Sequence, residues 1–312
     1  MSSNFLNKVI CVVGPTASGK TALAQEIALQ YDGEVLSADS MQIYKGMDIG
    51  TGKISPQEMK VKHHGLDLIN PGEEYSASLF QTYGRNIIDS LHEQNKTCVV
   101  CGGTGFYIRA LIDSYDFPKG EQRDNPIREK YTAFAQKHGN KAVWDELDKL
   151  DHESAACIHP NNVKRVIRAL EMHFEGISYA NQLTNLQTLK QAVPAIFIGL
   201  SVPREELNAR IDKRVDEMLA TGLVSEVESL LDDGFRDGIT APQAIGYKEI
   251  VQALDGLISI DEAIQQIKIA THRYAKRQRS WFRKDSRINW IDADKPLEEM
   301  LQEATGVINK NK

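Results

Sequence analysis

Eight consecutive residues, Gly14, Pro15, Thr16, Ala17, Ser18, Gly19, Lys20 and Thr21, satisfy G-x-x-x-x-G-K-[ST] in full. The pattern suits the holding of a phosphate chain. Its glycines let backbone N–H groups turn toward the anion, and the helix that follows adds a partial positive charge. Lys20 puts a full charge on the terminal phosphate, and the Thr21 hydroxyl can hold Mg²⁺. What the phosphates are attached to is left open. ATP and GTP are the usual occupants, so a small-molecule or nucleotide kinase is the first reading.

Two further sites could share that chemistry. Asp39 follows the apolar run "EVLSA" (34–38), where a side chain faces the crevice of a doubly wound sheet. Three roles are open to it: a magnesium-shell carboxylate, a general base, or a helix N-cap. The Gly-Gly-Thr-Gly run at 102–105 follows "TCVVC" (97–101) in the same way, bringing backbone N–H groups and the Thr104 hydroxyl to the same sheet edge. Cys98 and Cys101 form a Cys-x-x-Cys pair, but no second pair stands at metal-binding spacing. They read as thiols on a buried strand.

Charge is unevenly spread. Residues 268–287 hold eight Lys/Arg and one acid, a segment of +7 in a chain of net −6, which leaves −13 for the rest. A basic stripe on an acidic body fits one polyanion-facing surface. Along the helix that carries it Ile264, Ile267, Tyr274 and Trp281 form an apolar stripe expected to face the core. Lys268, Arg273, Lys276, Arg277, Arg279 and Arg283 take the remaining helix surface.

These residues need a scaffold. "KVICVV" (8–13) reads as a buried strand running into the phosphate loop, and Lys20–Gln30 as a helix. "EVLSA" is a second strand and "LDLI" (66–69) a possible third. Ser76–Gln94 is a helix, "TCVVC" a strand, Thr104–Ile112 a helix, and "AIFIGLSV" (195–202) a further strand. Strand–helix alternation implies an α/β fold, a phosphate-loop parallel sheet core wrapped by helices. Residues 117–193 are polar, helical and strand-poor, and read as a mostly helical insertion domain in a core formed by 1–116 and 194–312. After Val202 the chain is again mostly helical, with Pro203 opening a helix, and the last residues, 306–312, are expected to fray. No apolar run approaches a membrane span, and a cytoplasmic monomer is expected.

"GPTASGKT", "SADSMQIYKGMDIGT", "HHGLDLINPGEEYSA", "GGTGFYI", "HPNNVKRVIRALE", "RVDEMLATGLVSEV", "AIGYKE" and "RYAKRQRSWFR" occur in this order. From about residue 8 to residue 291 the chain resembles the bacterial tRNA dimethylallyltransferase family. The resemblance implies transfer of a dimethylallyl group from dimethylallyl diphosphate to the exocyclic N6 amine of the adenosine just 3′ of the tRNA anticodon. The phosphate loop would then grip the diphosphate of a prenyl donor, with Mg²⁺ on Thr21, and the diphosphate would leave.

The family also implies roles. Asp39 takes the proton from the attacking amine, whose lone pair is delocalised into the ring. Thr104 contacts the diphosphate near the breaking bond, and Arg214 supplies another cation. Asp39, Ser40, Met41 and Gln42 resemble the segment around the flipped base, a conformation that costs a few kcal/mol of unstacking. Lys164, Arg165 and Arg168 resemble a tRNA-touching segment, as do Arg128 and Gly246, Tyr247 and Lys248. Arg277 and Arg279 are expected to meet tRNA phosphate in the anticodon stem-loop. The sequence departs from the family in lacking a proline after Lys53 and in having His152 where proline is common. It has no Cys/His finger of the eukaryotic kind. The alternatives are a free adenine-nucleotide isopentenyltransferase and a phosphate-loop small-molecule kinase. The helical insertion and the +7 segment favour tRNA over the free nucleotide, and a kinase would bind a triphosphate and show no dependence on RNA.

Overall fold

The structure, a computed structural model, describes residues 6–115, 117, 125–187 and 190–311. They divide into two compact units, one of 1–112 with 191–312 and one of 113–190. Asp116, at the expected boundary, lies outside the described residues.

The first unit is built on strands that read as apolar runs because both of their faces are covered. β1 (Val9–Val13) is buried at every position. β2 (Gly33–Ser37), β3 (His63–His64), β4 (Thr97–Gly102), β5 (Ala195–Ser201) and β6 (Ile288–Asp292) complete a six-stranded sheet in the order β3-β2-β4-β1-β5-β6. All pairings are parallel, so each connection must cross over a face of the sheet. α1 (Lys20–Gln30) joins β1 to β2, and α2 (Ala77–Glu93), capped by the Ser76 side chain on the Leu79 N–H, precedes β4. α3 (Gly105–Ile112) follows β4. Because β4 lies between β1 and β2, the loops after these three strands become neighbours. That topology brings the phosphate loop, Asp39 and the Gly-Gly-Thr turn to one edge.

The second unit holds α4 (Pro126–His138), α5 (Asn140–Leu150), α6 (His152–Ala156), α7 (Val163–Phe174) and α8 (Tyr179–Gln187). It has its own core of Tyr131, Val143, Leu147, Ile158, Val166 and Leu170. The Trp144 indole N–H ties α5 to the carbonyls of Ala155 and Ile158. The base of this unit is clasped by Ser114 N–H on Lys190 O. In the first unit, Ala192 and Val193 N–H both reach Ile112 O.

The first unit resumes with α9 (Arg204–Ala220), α10 (Leu223–Asp232), α11 (Tyr247–Leu254), α12 (Ile260–Phe282) and α13 (Leu297–Lys310). Four expectations need correction. Residues 66–69 are not a strand: the extended backbone is interrupted at Gly65 (φ 79°) and Asp67 (φ 53°), and only Ile69 bridges to Tyr44. β6 stands where a helical stretch was expected. It is an edge strand whose outward residues, Asn289 and Trp290, hide its period. Residues 306–310 do not fray, since α13 buries Met300, Ala304 and Ile308 at a four-residue spacing; Lys312 lies outside the described residues. Finally, α12 buries Ala263, Ile267, Ala275 and Phe282, while Trp281 is 43% exposed. Steps of seven drift about 20° each around a straight helix, so a stripe through 267, 274 and 281 leaves the core face.

Candidate active site

The phosphate loop turns sharply at Ala17 (φ 60°) and Gly19 (φ 86°), a left-handed conformation glycine adopts freely. Nothing within 4 Å would meet a Cβ at Gly19, which leaves that side of the loop open. Lys20 Nζ donates to the Pro15 carbonyl at 3.2 Å. Burial lowers the Lys20 pKa, while Cys101 and Asp39 pull it back up and Arg214 adds to the lowering. Ser18 Oγ is buried without a partner, and a phosphate oxygen satisfies such a donor.

No helix follows Asp39; its Oδ1 accepts the Met41 N–H at 3.0 Å, closing a turn. Thr104 Oγ1 accepts the Ser40 N–H at 3.1 Å, and the Thr104 N–H reaches Ala38 O. The turn after β2 is thus laced to the turn after β4. Burial, with the charge of Asp39, pushes the Tyr274 phenol up to about 12.

Arg214 comes from α9. Its Nη1 donates to Thr16 Oγ1 at 3.4 Å and its Nη2 to Gly52 O at 3.3 Å. A Cβ on Gly52 would fall 1.4 Å from Nη2, so residue 52 lacks a side chain because the guanidinium lies there. Burial lowers the Arg214 pKa, opposed by Asp39.

The loop carrying Gly52 has an anchor that the sequence did not reveal. Glu226 of α10 accepts the N–H groups of Asp48 (3.0 Å), Ile49 (2.7 Å) and Gly50 (3.1 Å) and the Tyr247 hydroxyl (2.6 Å). Tyr247, expected to face tRNA, is fully buried and supports this loop instead. Gln42 also works on the loop: its amide faces the carbonyls of Thr51 and Gly52, and its Oε1 accepts from Ser37 Oγ.

These elements enclose a cavity of about 290 Å³. Lys20, Asp39, Thr16 and Arg214 stand at one end, and Ser40, Met41 and Gly246 also line it. Ile211, Val215, Met218 and Ile267 supply an apolar wall. An adjoining cavity shares Lys20, Asp39 and Arg214 and adds Thr21 and His63, whose imidazole burial lowers to about 4. Thr21 and Asp39 thus offer a hydroxyl and a carboxylate beside the phosphate loop. Such oxygen donors suit Mg²⁺, which keeps waters and shares phosphate oxygens. Among the described residues no cluster of three His, Cys, Asp or Glu forms an all-protein cage.

Other expected residues lie elsewhere. In the second unit Arg128 grips Glu171 through Nε (2.6 Å) and Nη2 (3.1 Å), and Arg168 reaches the same carboxylate at 2.9 Å. Glu171 is fully buried, so both arginines serve that core as well as its surface; Lys164 and Arg165 are exposed. Gly246 donates its N–H to Glu249, and Lys248 is half-buried beside that acid. On α12, Lys268 pairs with Asp216 at 2.7 Å. Arg277 is exposed and lies over the Tyr274 ring. Burial and the nearby Arg283 and Arg204 lower the Arg279 pKa. Arg273, Lys276, Arg277 and Lys284 line an open surface groove with Trp281.

Residues 42–285 match the family model described as IPP transferase, and residues 7–65 match one described as isopentenyl transferase. A tRNA dimethylallyltransferase of Carboxydothermus hydrogenoformans is 44% identical over 303 residues, 95% of each chain. One of Geobacillus thermodenitrificans is 45% identical, covering 93% of this chain and 91% of its own. Among solved structures, a tRNA isopentenylpyrophosphate transferase of Staphylococcus epidermidis superposes with TM-score 0.73 at 37% identity, over 98% of this chain and all of its own. A eukaryotic dimethylallyltransferase acting on tRNA superposes with TM-score 0.78 at 30% identity, over 92% of this chain and 74% of its own.

Proposed function

We propose that this chain, which belongs to the IPP transferase family of tRNA dimethylallyltransferases, transfers a dimethylallyl group from dimethylallyl diphosphate to the N6 amine of the adenosine 3′ to the anticodon of tRNA. The observation that carries the reading is one cavity in which Lys20, Arg214 and Asp39 stand close together beside an apolar wall. Cations suit a departing diphosphate, the carboxylate suits an amine proton, and the wall suits a prenyl chain and a base.

The amine nitrogen bonds to C1 of the prenyl group as the C1–O bond breaks, and that electron pair leaves on the diphosphate. Asp39 receives the N6 proton. Lys20, the phosphate-loop amides and Arg214 gather the charge developing on the leaving oxygens. Thr104, tied to Ser40, borders both turns. Thr21 would hold Mg²⁺, which would supply Lewis-acid stabilisation of the diphosphate. The exposed cations of α12 and Lys164 and Arg165 of the second unit would meet tRNA phosphates. The free-nucleotide transferase and kinase alternatives are not favoured by these relatives, and no helix among the described residues is long and apolar enough to cross a membrane.

Purified protein given dimethylallyl diphosphate, Mg²⁺ and unmodified tRNA is expected to yield N6-isopentenyladenosine by nucleoside mass spectrometry. Modification of free AMP without modification of tRNA would overturn the proposal.

A further inference from the structure

α12 presents its cations and one inward amide in alternation. Arg277 is exposed and Arg279 partly so, whereas Gln278 between them is only 5% exposed. Its Oε1 accepts the Thr16 N–H of the phosphate loop at 2.9 Å, and its Nε2 donates to the Gly103 carbonyl at 3.0 Å. A single side chain therefore bridges the turn after β1 and the turn after β4.

The residue type fits the task. A side-chain amide brings one acceptor and one donor group, and the two backbone partners here are a donor and an acceptor. A carboxylate would meet the Gly103 carbonyl without a proton to donate. The approach is close: a Cβ on Gly103 would stand 2.2 Å from Gln278 Nε2. A methyl at 103 would thus push the Gln278 amide aside. Thr16, held at its N–H by Gln278, is held at its hydroxyl by Arg214. Movement of α12 at residue 278 accordingly displaces the loop, the second turn and a partner of Arg214 together.

We propose that Gln278 is a positioning residue that ties the diphosphate cradle to the helix bearing the tRNA-facing cations, so that a polyanion on α12 and a diphosphate in the cradle bind with coupled affinities. The inference rests on the tRNA reading of α12 given above. Coupling of this kind is reciprocal: whatever factor RNA applies to diphosphate affinity, diphosphate applies to RNA affinity.

The test measures Kd for inorganic diphosphate with Mg²⁺, with and without an unmodified anticodon stem-loop, in wild type, Gln278→Met and Gly103→Ala. Gln278→Met removes both hydrogen bonds at similar volume. Gly103→Ala pushes the amide off from the other side and leaves α12 unchanged, so one variant stands if the other fails to fold. In wild type the RNA is expected to tighten diphosphate binding about fivefold or more. In each folded variant diphosphate binding without RNA should weaken about tenfold. The RNA effect should fall below about twofold, with RNA affinity in the absence of diphosphate unchanged. In turnover the KM for the prenyl donor should rise with little change in kcat. A wild type without coupling, or a folded variant that keeps it, overturns the inference. So does an equal loss of RNA binding, which marks Gln278 as merely structural. Loss of tRNA prenylation by wild type itself would instead strike the proposed reaction.

Discussion

Gly52→Ala tests whether Arg214 is seated where the cavity needs it. Gly52 has φ 58°, and a methyl there would lie 1.4 Å from Arg214 Nη2. No relaxation keeps both in place, so the guanidinium leaves or the loop shifts. The backbone part is small, about 1 kcal/mol for alanine in a left-handed conformation, or about 2 °C in melting temperature for a chain of this size. The functional part is larger. A hydrogen bond to a charged group is worth about 1.5–3 kcal/mol, so removing Arg214 from the diphosphate should lower kcat/KM about 10- to 150-fold. Steady-state transfer to tRNA measures this, with tRNA affinity expected to stay at the wild-type value. Gly52→Ala, Arg214→Ala and the double variant form a cycle. Because both changes remove the same interaction, the double variant should be little worse than Arg214→Ala alone. Activity within threefold of wild type in Gly52→Ala, or losses that multiply in the double variant, would refute the reasoning.

Asp39→Asn can still accept the Met41 N–H, so it should preserve the turn while lowering kcat about 10²- to 10⁴-fold; a matching loss of tRNA affinity would make the residue one of recognition. Replacing Arg277 and Arg279 with alanine should shallow the slope of log Kd for tRNA against log salt by about 0.7–0.9 for each phosphate no longer neutralised, and an unchanged slope places them off the RNA. Glu171→Ala removes the fully buried carboxylate that two part-exposed arginines, Arg128 and Arg168, share and should destabilise the second unit by about 1.5–3 kcal/mol in urea titrations. A change under 1 kcal/mol would show that the arginines do not depend on it.

How legible the site was in the sequence varies with the range of the interaction. The phosphate loop was readable because its chemistry is local: eight residues make the strand-to-helix turn and the anion cradle together. Asp39 and Thr104 were placed by a topological rule about strand ends, which needed only the strands to be recognised. Glu226 and Gln278 were not found, because each acts on backbone groups far along the chain, and backbone partners leave no residue-type signature. Arg128 and Arg168 read as surface cations since a shared buried carboxylate at 171 cannot be inferred from spacing alone. The motif of Tyr247 points to tRNA, whereas its ring is buried and its hydroxyl donates to Glu226. β6 was missed because an edge strand of five residues, with two of its middle residues outward, carries neither a continuous apolar run nor strict alternation.

The clasp at the base of 113–190 has a consequence for how the chain can assemble. β5 must find β1 after a long excursion, and in a flexible chain that closure becomes harder with every added residue, though slowly, by about 0.6 kcal/mol per doubling. Here Ser114 and Lys190 close the excursion on itself, while Ile112 takes the N–H groups of Ala192 and Val193 on the other side. The sheet therefore meets β5 across what is effectively a short turn, whatever lies beyond it. Once that clasp forms, strand registry no longer waits on the helices in between, and the excursion can lengthen or shorten with little effect on the ledge that holds Lys20 and Asp39.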